Sequence, residues 1–309
     1  MVTAAGVTDG WNNEAEVWLL IGTGLCMPRI FGELNTALER EFGQRYAVVS
    51  TEDLLLGVKG GRLTLHDLTG RAVRTPKVVY ARLSSPRVST DREITLLRQL
   101  QEMGATLLNP PETVLACVNK FWQLQQFALA GLPVPDTLSY TDAPMGAVIR
   151  AGVPEPCVVK AVRGQRGQQV FLAPDAAMLS AVHGSLRQDV PYLFQHYVAS
   201  SHGRDLRVVV IDGQAVAAQV RTARDGGLQS NLAQGGTAEL CLGRYRAGEA
   251  LAVQAAKTLG LGVCGVDLLF GADGGFVLCE VNVNVGWREP MREVTPAIVA
   301  ACRRRLEEH

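Results

Sequence analysis

Short apolar runs alternate with amphipathic segments along the first third of the chain. The elements predicted there are, in order, strand 17–21, helix 35–42, strand 46–50, strand 77–83, helix 91–103 and strand 106–108. Strands that alternate with helices are typical of a parallel sheet covered by helices. We therefore assign residues 1–115 to an N-terminal α/β lobe.

The pattern changes near residue 115, beyond which short strands flank a glycine-rich turn. The predicted elements are helix 114–130, strand 157–161, loop 162–168, strand 169–172, helix 175–183 and strand 192–194. Gly131 closes the first of these helices, and Pro133 and Pro135 follow it, as is common beyond a helix end. These elements indicate a small central lobe over residues 116–195.

The last third is rich in hairpins and is assigned to a C-terminal lobe over residues 196–309. Two strands flank Asp212-Gly213, a pair that favours a type I′ turn. A helix at 247–259 leads to strands 263–270 and 276–282, which flank Asp273-Gly274. The whole chain is thus predicted to combine α/β and α+β architecture.

The charges of the chain balance, since 30 Lys and Arg face 30 Asp and Glu. No global field then favours nucleic acid or a membrane surface as a partner. No segment approaches the roughly 18 apolar residues that span a bilayer. At 309 residues, with 47% apolar residues, the sequence fits a soluble protein of several lobes that holds any anionic ligand in a local site.

The seven cysteines are scattered, with no Cys-x-x-Cys pair and no histidine spacing that suits zinc. Several lie inside apolar runs, where a reduced thiol packs like a small core residue. This usage predicts a reducing, cytoplasmic location. The sequence allows a homo-oligomer but does not fix the oligomeric state.

Three oxygen-bearing side chains are predicted to converge on the last hairpin. If Asp273-Gly274 is a two-residue loop, Asp267 lies opposite Glu280, and Asn282 shares the face of Glu280. A loop shifted by one residue sets Asp267 opposite Asn282 instead. Two carboxylates and an amide oxygen suit magnesium, whereas the alternative is a solvent-facing acidic surface.

A basic, glycine-rich stretch follows a strand that contains a lysine. Lys160 lies within an apolar strand, where its burial is costly unless an anion neutralises it. The loop that follows has two glycines, whose backbone amides can approach phosphate closely, although exposed arginines on a plain hairpin are equally common. The candidate phosphate-binding residues of this loop are Arg163, Gly164, Gln165, Arg166 and Gly167.

Two arginines on the hairpin around Asp212-Gly213 are candidates to meet a reacting anion. Asp205 and Arg207 share one strand face. The simple register from Asp212-Gly213 places Arg221 on the opposite face, so both arginines reach one ligand only if a strand is bulged or the ligand lies at its edge. The polar loop at Ser230-Asn231 is either a ligand contact or an ordinary connection.

Taken together these elements resemble the ATP-grasp superfamily, and within it the RimK-like carboxylate-amine ligases, especially the vertebrate N-acetylaspartylglutamate and β-citrylglutamate synthetases. The resemblance extends from about Val78 to Gly286. The motifs that carry it are Asn119-Lys120-Phe121-Trp122, Pro133-Val134-Pro135-Asp136-Thr137, Val158-Val159-Lys160 with the loop at 163–167, Asp189 to Gln195, His202 to Val210, Ser230-Asn231, Cys264 to Asp267 and Cys279 to Gly286.

The resemblance implies an ATP-grasp fold with an N-terminal pre-ATP-grasp lobe, together with ATP and Mg²⁺, or Mn²⁺ in its place. It implies nucleotide contacts by Lys120, Lys160, Asp205 and the loop at 163–167, with Gln195, His196, Tyr197 and Val198 around the adenine. It further implies metal ligation by Asp267, Glu280 and Asn282, and contacts of Arg207, Arg221 and Asn231 with the phosphoryl and acyl groups. The implied substrates are a small carboxylate and glutamate.

Three functions agree with these motifs. The first is synthesis of N-acetylaspartylglutamate or β-citrylglutamate through an acyl phosphate, with release of ADP and phosphate. The second is a ligase that adds glutamate to a protein C-terminus. The third is an ATP-binding regulatory protein without turnover, against which the complete metal set argues.

Two regions depart from the family pattern. The first 75 residues match only loosely, and a basic end at Arg303-Arg304-Arg305 follows the last motif. Arg82, at the end of a predicted strand, is a candidate for a substrate carboxylate, but the commoner expectation is an exposed surface arginine.

Overall fold

The computed structural model describes residues 11–23, 28–84, 88–164, 170–187, 189–228, 230, 232, 235–287 and 290–309, apart from the side chains of residues 28–30 and 225. Three sheets and one separate hairpin organise these residues. Strands and helices are numbered in chain order.

The first sheet is parallel, as the sequence pattern predicts. Its strands are β1 (Val17–Ile21), β2 (Tyr46–Ser50), β5 (Val78–Arg82) and β6 (Thr106–Leu107), in the order β2-β1-β5-β6. Helix α1 (Pro28–Phe42) starts earlier than predicted, and a π-helical turn at Thr90–Ile94 precedes α2 (Thr95–Glu102). Strands β1 and β5 are almost entirely buried, which explains their continuous apolar composition.

A hairpin that the pattern did not predict follows β2. Strands β3 (Leu54–Lys59) and β4 (Arg62–Asp67) pair with each other across the turn at Gly60-Gly61. Both glycines have positive φ, at 57° and 75°, as a two-residue hairpin turn requires. The two strands form a sheet of their own beside the parallel sheet.

The helix predicted from about Val114 to Ala130 is two helices, so this prediction was wrong. Helix α3 (Pro111–Val118) ends at Asn119, and α4 (Lys120–Leu129) begins directly after it. Asn119 is extended, with φ −105° and ψ 104°, and its side chain accepts hydrogen bonds from the backbone of Phe121 and Trp122. An asparagine cap thus starts a new helix and fixes the direction of Lys120.

The second sheet lies in the central part of the chain and is antiparallel. Its strands are β7 (Thr137–Ser139), β8 (Cys157–Ala161), β9 (Val170–Ala173) and β10 (Tyr192–His196), in the order β7-β10-β8-β9. Helices α5 (Met145–Ala151) and α6 (Ala176–Val182) cover it. Its apolar cluster is separate from the clusters of the other two sheets, and includes Val159, Tyr192 and Phe194.

The third sheet is antiparallel and has five strands. They are β11 (Arg204–Ile211), β12 (Gln214–Thr222), β13 (Thr237–Leu240), β14 (Val263–Phe270) and β15 (Phe276–Asn282), in the order β13-β12-β11-β14-β15. Helix α7 (Arg246–Thr258) packs on this sheet. Asp212 and Gly213 have positive φ, at 47° and 73°, so the predicted Asp-Gly hairpin turn is confirmed.

The C-terminal segment is helical and joins the first and third sheets. Helix α8 (Val294–Glu307) packs against α1, β5 and β11. Arg303 in this helix bonds Glu41, and Arg304 and Arg305 bond Asp212. The basic end therefore anchors the helix to two other elements. None of the described helices is long and apolar enough to cross a membrane.

Candidate functional site

A cavity of about 230 Å³ lies where the second and third sheets face each other. Thirteen of the predicted site residues line it: Lys120, Lys160, Gly164, Gln195, His196, Tyr197, Val198, Asp205, Arg207, Arg221, Asp267, Glu280 and Asn282. Lys160 comes from strand β8 of the small central sheet and Lys120 from the start of helix α4, whereas the large sheet contributes the carboxylates and arginines. The fold thus brings residues that are up to 162 positions apart in sequence, from 120 to 282, into one site.

Asp267 is paired directly with Glu280 across β14 and β15, but not for the predicted reason. Strand β14 ends at Phe270 and β15 begins at Phe276, so the predicted two-residue loop at Asp273-Gly274 is wrong. The wider loop shifts the register by one residue. A bulge at Cys279 shifts it back, because Leu268 pairs with Leu278 while Asp267 pairs with Glu280.

A second bulge brings the two arginines onto one face. Val210 pairs with Ala215 and Val209 with Ala217, so Val216 is the extra residue of β12. Beyond this bulge Arg221 lies opposite Asp205 instead of Arg204. Arg221 therefore shares the face of Arg207. The bulged strand is one of the two conditions under which the sequence allowed both arginines to reach one ligand.

Four charged side chains form a continuous network on this face of the sheet. Arg207 lies opposite Asp267 and donates to both of its carboxylate oxygens, one of them from Nη2 at 2.6 Å. Arg221 donates from Nε to Asp205 at 2.8 Å, and its Nη2 lies 3.0 Å from Asp267. Burial opposes ionisation of Asp267, but attraction by the two guanidinium groups prevails and lowers the pKa of its carboxyl group below the ordinary value.

Two buried lysines face this network from the other side. Lys120 is 8% exposed, donates to the Gly164 carbonyl at 3.0 Å, and lies 4.0 Å from the Glu280 carboxylate. Lys160 is 5% exposed and its Nζ lies 3.8 Å from Cys279 Sγ. Among the described residues no carboxylate pairs with Lys160. Lys120 therefore shares the Glu280 carboxylate, whereas the Lys160 ammonium group enters the cavity with a thiol as its neighbour.

The strand that leads from the second sheet to the third forms another wall. Residues 195–198 line the cavity at the end of β10. The backbone of His196 donates to the Asp136 carbonyl at 2.7 Å, and that of Tyr197 donates to the Pro156 carbonyl at 3.0 Å. These bonds hold the crossing segment, residues 195–198, against the small sheet. The opposite edge of this segment faces the cavity.

Some predicted site residues are not among those that line the cavity. Arg163 is exposed and lies outside the lining. Gln165, Arg166, Gly167 and Asn231 lie outside the described residues, although the neighbour of Asn231, Ser230, is a buried lining residue.

The expectation of an exposed Arg82 was wrong. Arg82 is 2% exposed and donates to the Tyr80 hydroxyl at 2.9 Å and to the Val285 carbonyl at 3.2 Å. Its guanidinium also lies 5.3 Å from the ring centre of Trp287. It is thus built into the junction of the first sheet with the segment that follows β15.

Several residues that line the cavity were not predicted from the sequence: Val158, Ala161, Val170, Ser201, Arg204, Leu228, Leu269 and Cys279. Strand alternation was a usable signal for Val158, because it lies two positions before Lys160 and shares its face. No comparable signal existed for Cys279, which lines the cavity beside Glu280 only because the strand is bulged there.

Comparison with known protein families matches residues 117–301 to the RimK-like ATP-grasp domain. The chain belongs to the RimK-like ATP-grasp family. Human N-acetylaspartylglutamate synthase A is 43% identical over 247 residues, which cover 79% of this chain and 63% of that protein. Human beta-citrylglutamate synthase B is 43% identical over 246 residues, covering 78% and 63%. The chain thus spans less than two thirds of each of these relatives.

Solved structures confirm the ATP-grasp fold. The ATP-grasp ligase PsnB, in a complex with a minimal precursor, Mg and ADP, superposes with a TM-score of 0.66 over 94% of this chain and 98% of that one, at 21% identity. At this identity the likeness establishes the fold. Membership of the family implies that ATP and a divalent metal ion are bound.

The donor set at the last hairpin fits a hard divalent cation. Asp267 and Glu280 supply carboxylate oxygens from adjacent strands, and Asn282 adds a carboxamide oxygen. Asn282 is the third oxygen donor in this set, and within the described ranges no three His, Cys, Asp or Glu side chains form a metal cluster. Oxygen donors with only two carboxylates suit magnesium, which retains water and takes phosphate oxygens as further ligands.

Proposed function

We propose that the protein is an ATP-dependent carboxylate-amine ligase that joins N-acetylaspartate or citrate to glutamate and releases ADP and phosphate. The family and the cavity support the chemistry, and the similarity to the two human synthases supports the choice of substrates. The observation that carries the proposal is the buried Lys160, which faces Asp267 and Glu280 across one cavity and pairs with no carboxylate in the described part of the chain.

An unpaired buried ammonium group is costly, and an anion in the cavity offsets that cost. The nucleotide triphosphate is such an anion. Lys120 and Lys160 would bind it on one side, and on the other Asp267, Glu280 and Asn282 would hold a magnesium ion, which when bound would supply positive charge at the phosphates. The crossing segment at 195–198 has the position to hold the adenine, since it lies at the end of the cavity formed by the small sheet.

The remaining side chains suit transfer of a phosphoryl group to a carboxylate. Arg207 and Arg221 lie on the face of the large sheet beside the metal ligands, where their charges offset the charge that develops during transfer. Their pairing with Asp205 and Asp267 holds both guanidinium groups in place before substrate arrives. The carboxylate attacks the γ-phosphorus and ADP leaves. The amine of glutamate then attacks the acyl carbon, and phosphate and a proton are released.

Arginine forks also suit polyacidic substrates. N-acetylaspartate, citrate and glutamate each carry two or more carboxylates, which a planar guanidinium binds through two parallel hydrogen bonds. Arg204, Arg207 and Arg221 all line the cavity. This supply of arginines in a chain of zero formal net charge favours small acidic substrates over a neutral peptide.

The proposal is tested by incubating the purified chain with ATP, magnesium and glutamate, together with N-acetylaspartate or citrate. We expect ADP and phosphate, and a product one glutamyl residue heavier than the acid, both read by mass spectrometry. Glu280→Ala should abolish turnover and keep the fold, because Glu280 is only half-buried and its carboxylate makes a long ion pair of 4.0 Å with Lys120. The matched control, Glu239→Ala on exposed β13, should keep full activity.

Other outcomes distinguish the alternatives. AMP and pyrophosphate as products would contradict the acyl-phosphate route. ADP formed only when a peptide acceptor is present identifies a ligase that adds glutamate to a protein C-terminus. Tight ATP binding with no turnover on any acid identifies a nucleotide-binding regulatory protein.

A further inference from the structure

Strand β3 has an open edge. It pairs with β4 on one side, and within the described part of the chain its other side makes no backbone hydrogen bond to a strand. The outer side of β4 differs, because its end is covered: Val73 donates to the Leu65 carbonyl at 2.9 Å and Asp67 donates to the Arg71 carbonyl at 3.0 Å. An open edge strand is a template for pairing with another strand.

The same hairpin exposes an apolar face. Leu56 lies opposite Leu65, and Val58 lies opposite Leu63. Leu65 is buried, but Leu56, Leu63 and Val58 are 38%, 39% and 74% exposed, so the face becomes more exposed toward the turn. Charged residues commonly protect edge strands, whereas β3 places apolar side chains along the face that a new strand would extend.

We propose that β3 pairs antiparallel with β3 of a second copy of this chain, which makes a four-stranded sheet across a two-fold axis at Leu56. The turn at Gly60-Gly61 fixes which residues offer hydrogen bonds outward. Because Lys59 and Arg62 close this turn, Lys59, Gly57 and Leu55 bond β4, and Leu54, Leu56 and Val58 direct their amide and carbonyl groups outward.

Because residues with outward amide and carbonyl groups alternate along β3, two copies can pair only in registers that differ from each other by two residues. An axis at Leu56 sets Leu56 opposite its own copy and Leu54 opposite Val58 of the second copy, so every outward amide meets an outward carbonyl. The apolar side chains of both copies then lie on one continuous face. A shift by one residue would oppose outward groups to inward groups and would turn Leu54, Leu56 and Val58 of the second copy to the other face of the shared sheet.

Charge complementarity selects a second copy as the partner. The base of the hairpin is acidic, with Glu52 and Asp53, and its turn is basic, with Lys59 and Arg62. An antiparallel arrangement sets the base of one copy against the turn of the other. In the register at Leu56, Asp53 lies opposite Lys59 of the second copy, and the two-fold axis repeats this pair.

The test is the mass of the intact chain in solution, measured by sedimentation equilibrium. We expect twice the chain mass of 33.2 kDa. Leu56→Lys should give the monomer mass, because it opposes two like charges at the axis. Val58→Pro should do the same by removing an outward amide. Leu129→Lys, at an exposed leucine on α4, is the matched control and should remain dimeric.

A charge exchange separates a second copy from any other partner. Lys59→Glu should raise the dimer dissociation constant, and adding Asp53→Lys to it should restore dimerisation. A monomeric wild-type chain overturns the proposal. This holds also if a foreign extended peptide pairs with β3 of that monomer. A Leu56→Lys variant that is folded by circular dichroism and still dimeric also overturns it, as does a double charge exchange without recovery.

Discussion

Lys160 on β8 and Cys279 on β15 meet across the cavity, with 3.8 Å between the ammonium Nζ and the thiol Sγ. A thiol is a weak hydrogen-bond partner for an ammonium group. Burial raises the pKa of the Cys279 thiol, and the positive charge of Lys160 only partly counters this, so the thiol does not neutralise the lysine. The pair therefore leaves one positive charge for a bound anion.

We predict that Lys160→Met weakens ATP binding, because methionine keeps much of the apolar stem and deletes the charge. A hydrogen bond to a charged group contributes about 1.5 to 3 kcal/mol, which corresponds to a roughly tenfold to hundredfold rise in Kd. Isothermal titration calorimetry measures this change. Lys257→Met, on the outer surface of α7, should bind ATP as the wild type does. Equal affinity of Lys160→Met and wild type would make Lys160 a structural residue between two sheets.

The sequence predicted the parallel sheet, the Asp212-Gly213 turn and the membership of the family. These features depend on local signals, such as fully apolar strands and a turn that needs positive φ at two residues. The break at Asn119 was missed because apolar periodicity continues through it, and only the extended backbone of Asn119 separates α3 from α4.

The site was predicted in its residues more fully than in its geometry. Bulges at Val216 and Cys279 decide which side chains face the cavity, and each depends on the fit between strands that are distant in sequence. Asp267 pairs with Glu280 as predicted because the wider loop and the bulge shift the register in opposite directions. The burial of Arg82 was not visible either, because its neighbours Val285 and Trp287 are 203 and 205 positions away.

A second prediction concerns the anchor of the C-terminal helix and its pH dependence. Asp212 accepts hydrogen bonds from Arg304 at 2.5 Å and Arg305 at 2.7 Å. Burial raises the pKa of the Asp212 carboxyl group, but the bonds from the two arginines outweigh burial and hold it below the ordinary 3.8. A lowered folded-state pKa contributes stability above pH 3.8, and this contribution is lost as pH falls through the folded-state value.

Asp212→Asn should therefore lower the free energy of unfolding at neutral pH by about 1 to 3 kcal/mol, while asparagine keeps the positive φ of the turn. The difference from wild type should shrink as the solution is acidified below the ordinary pKa of aspartate. Urea unfolding followed by circular dichroism at several pH values measures both effects. Asp142→Asn, at an exposed site, is the control and should show neither. A pH-independent difference would trace the loss to the turn itself.

The last prediction separates the structural and chemical roles of Arg221. Its side chain is 6% exposed and bridges Asp205 and Asp267. Arg221→Met leaves Asp205 buried without this partner, and removal of one member of a buried ion pair costs about 3 to 5 kcal/mol. Arg244→Met, at an exposed pair with Glu239, should cost less than about 1 kcal/mol.

Combining Arg221→Met with Asp205→Asn should recover much of the lost stability, because the unpaired charge is removed together with its partner. Activity should not recover in this double variant, since the cation that faces the reacting phosphoryl group is still absent. Thermal unfolding and ADP release, measured on all four proteins of the cycle, give both quantities. Recovery of turnover along with stability would show that Arg221 serves only to hold the sheet face together, and Arg207 would then be the arginine that meets the substrate.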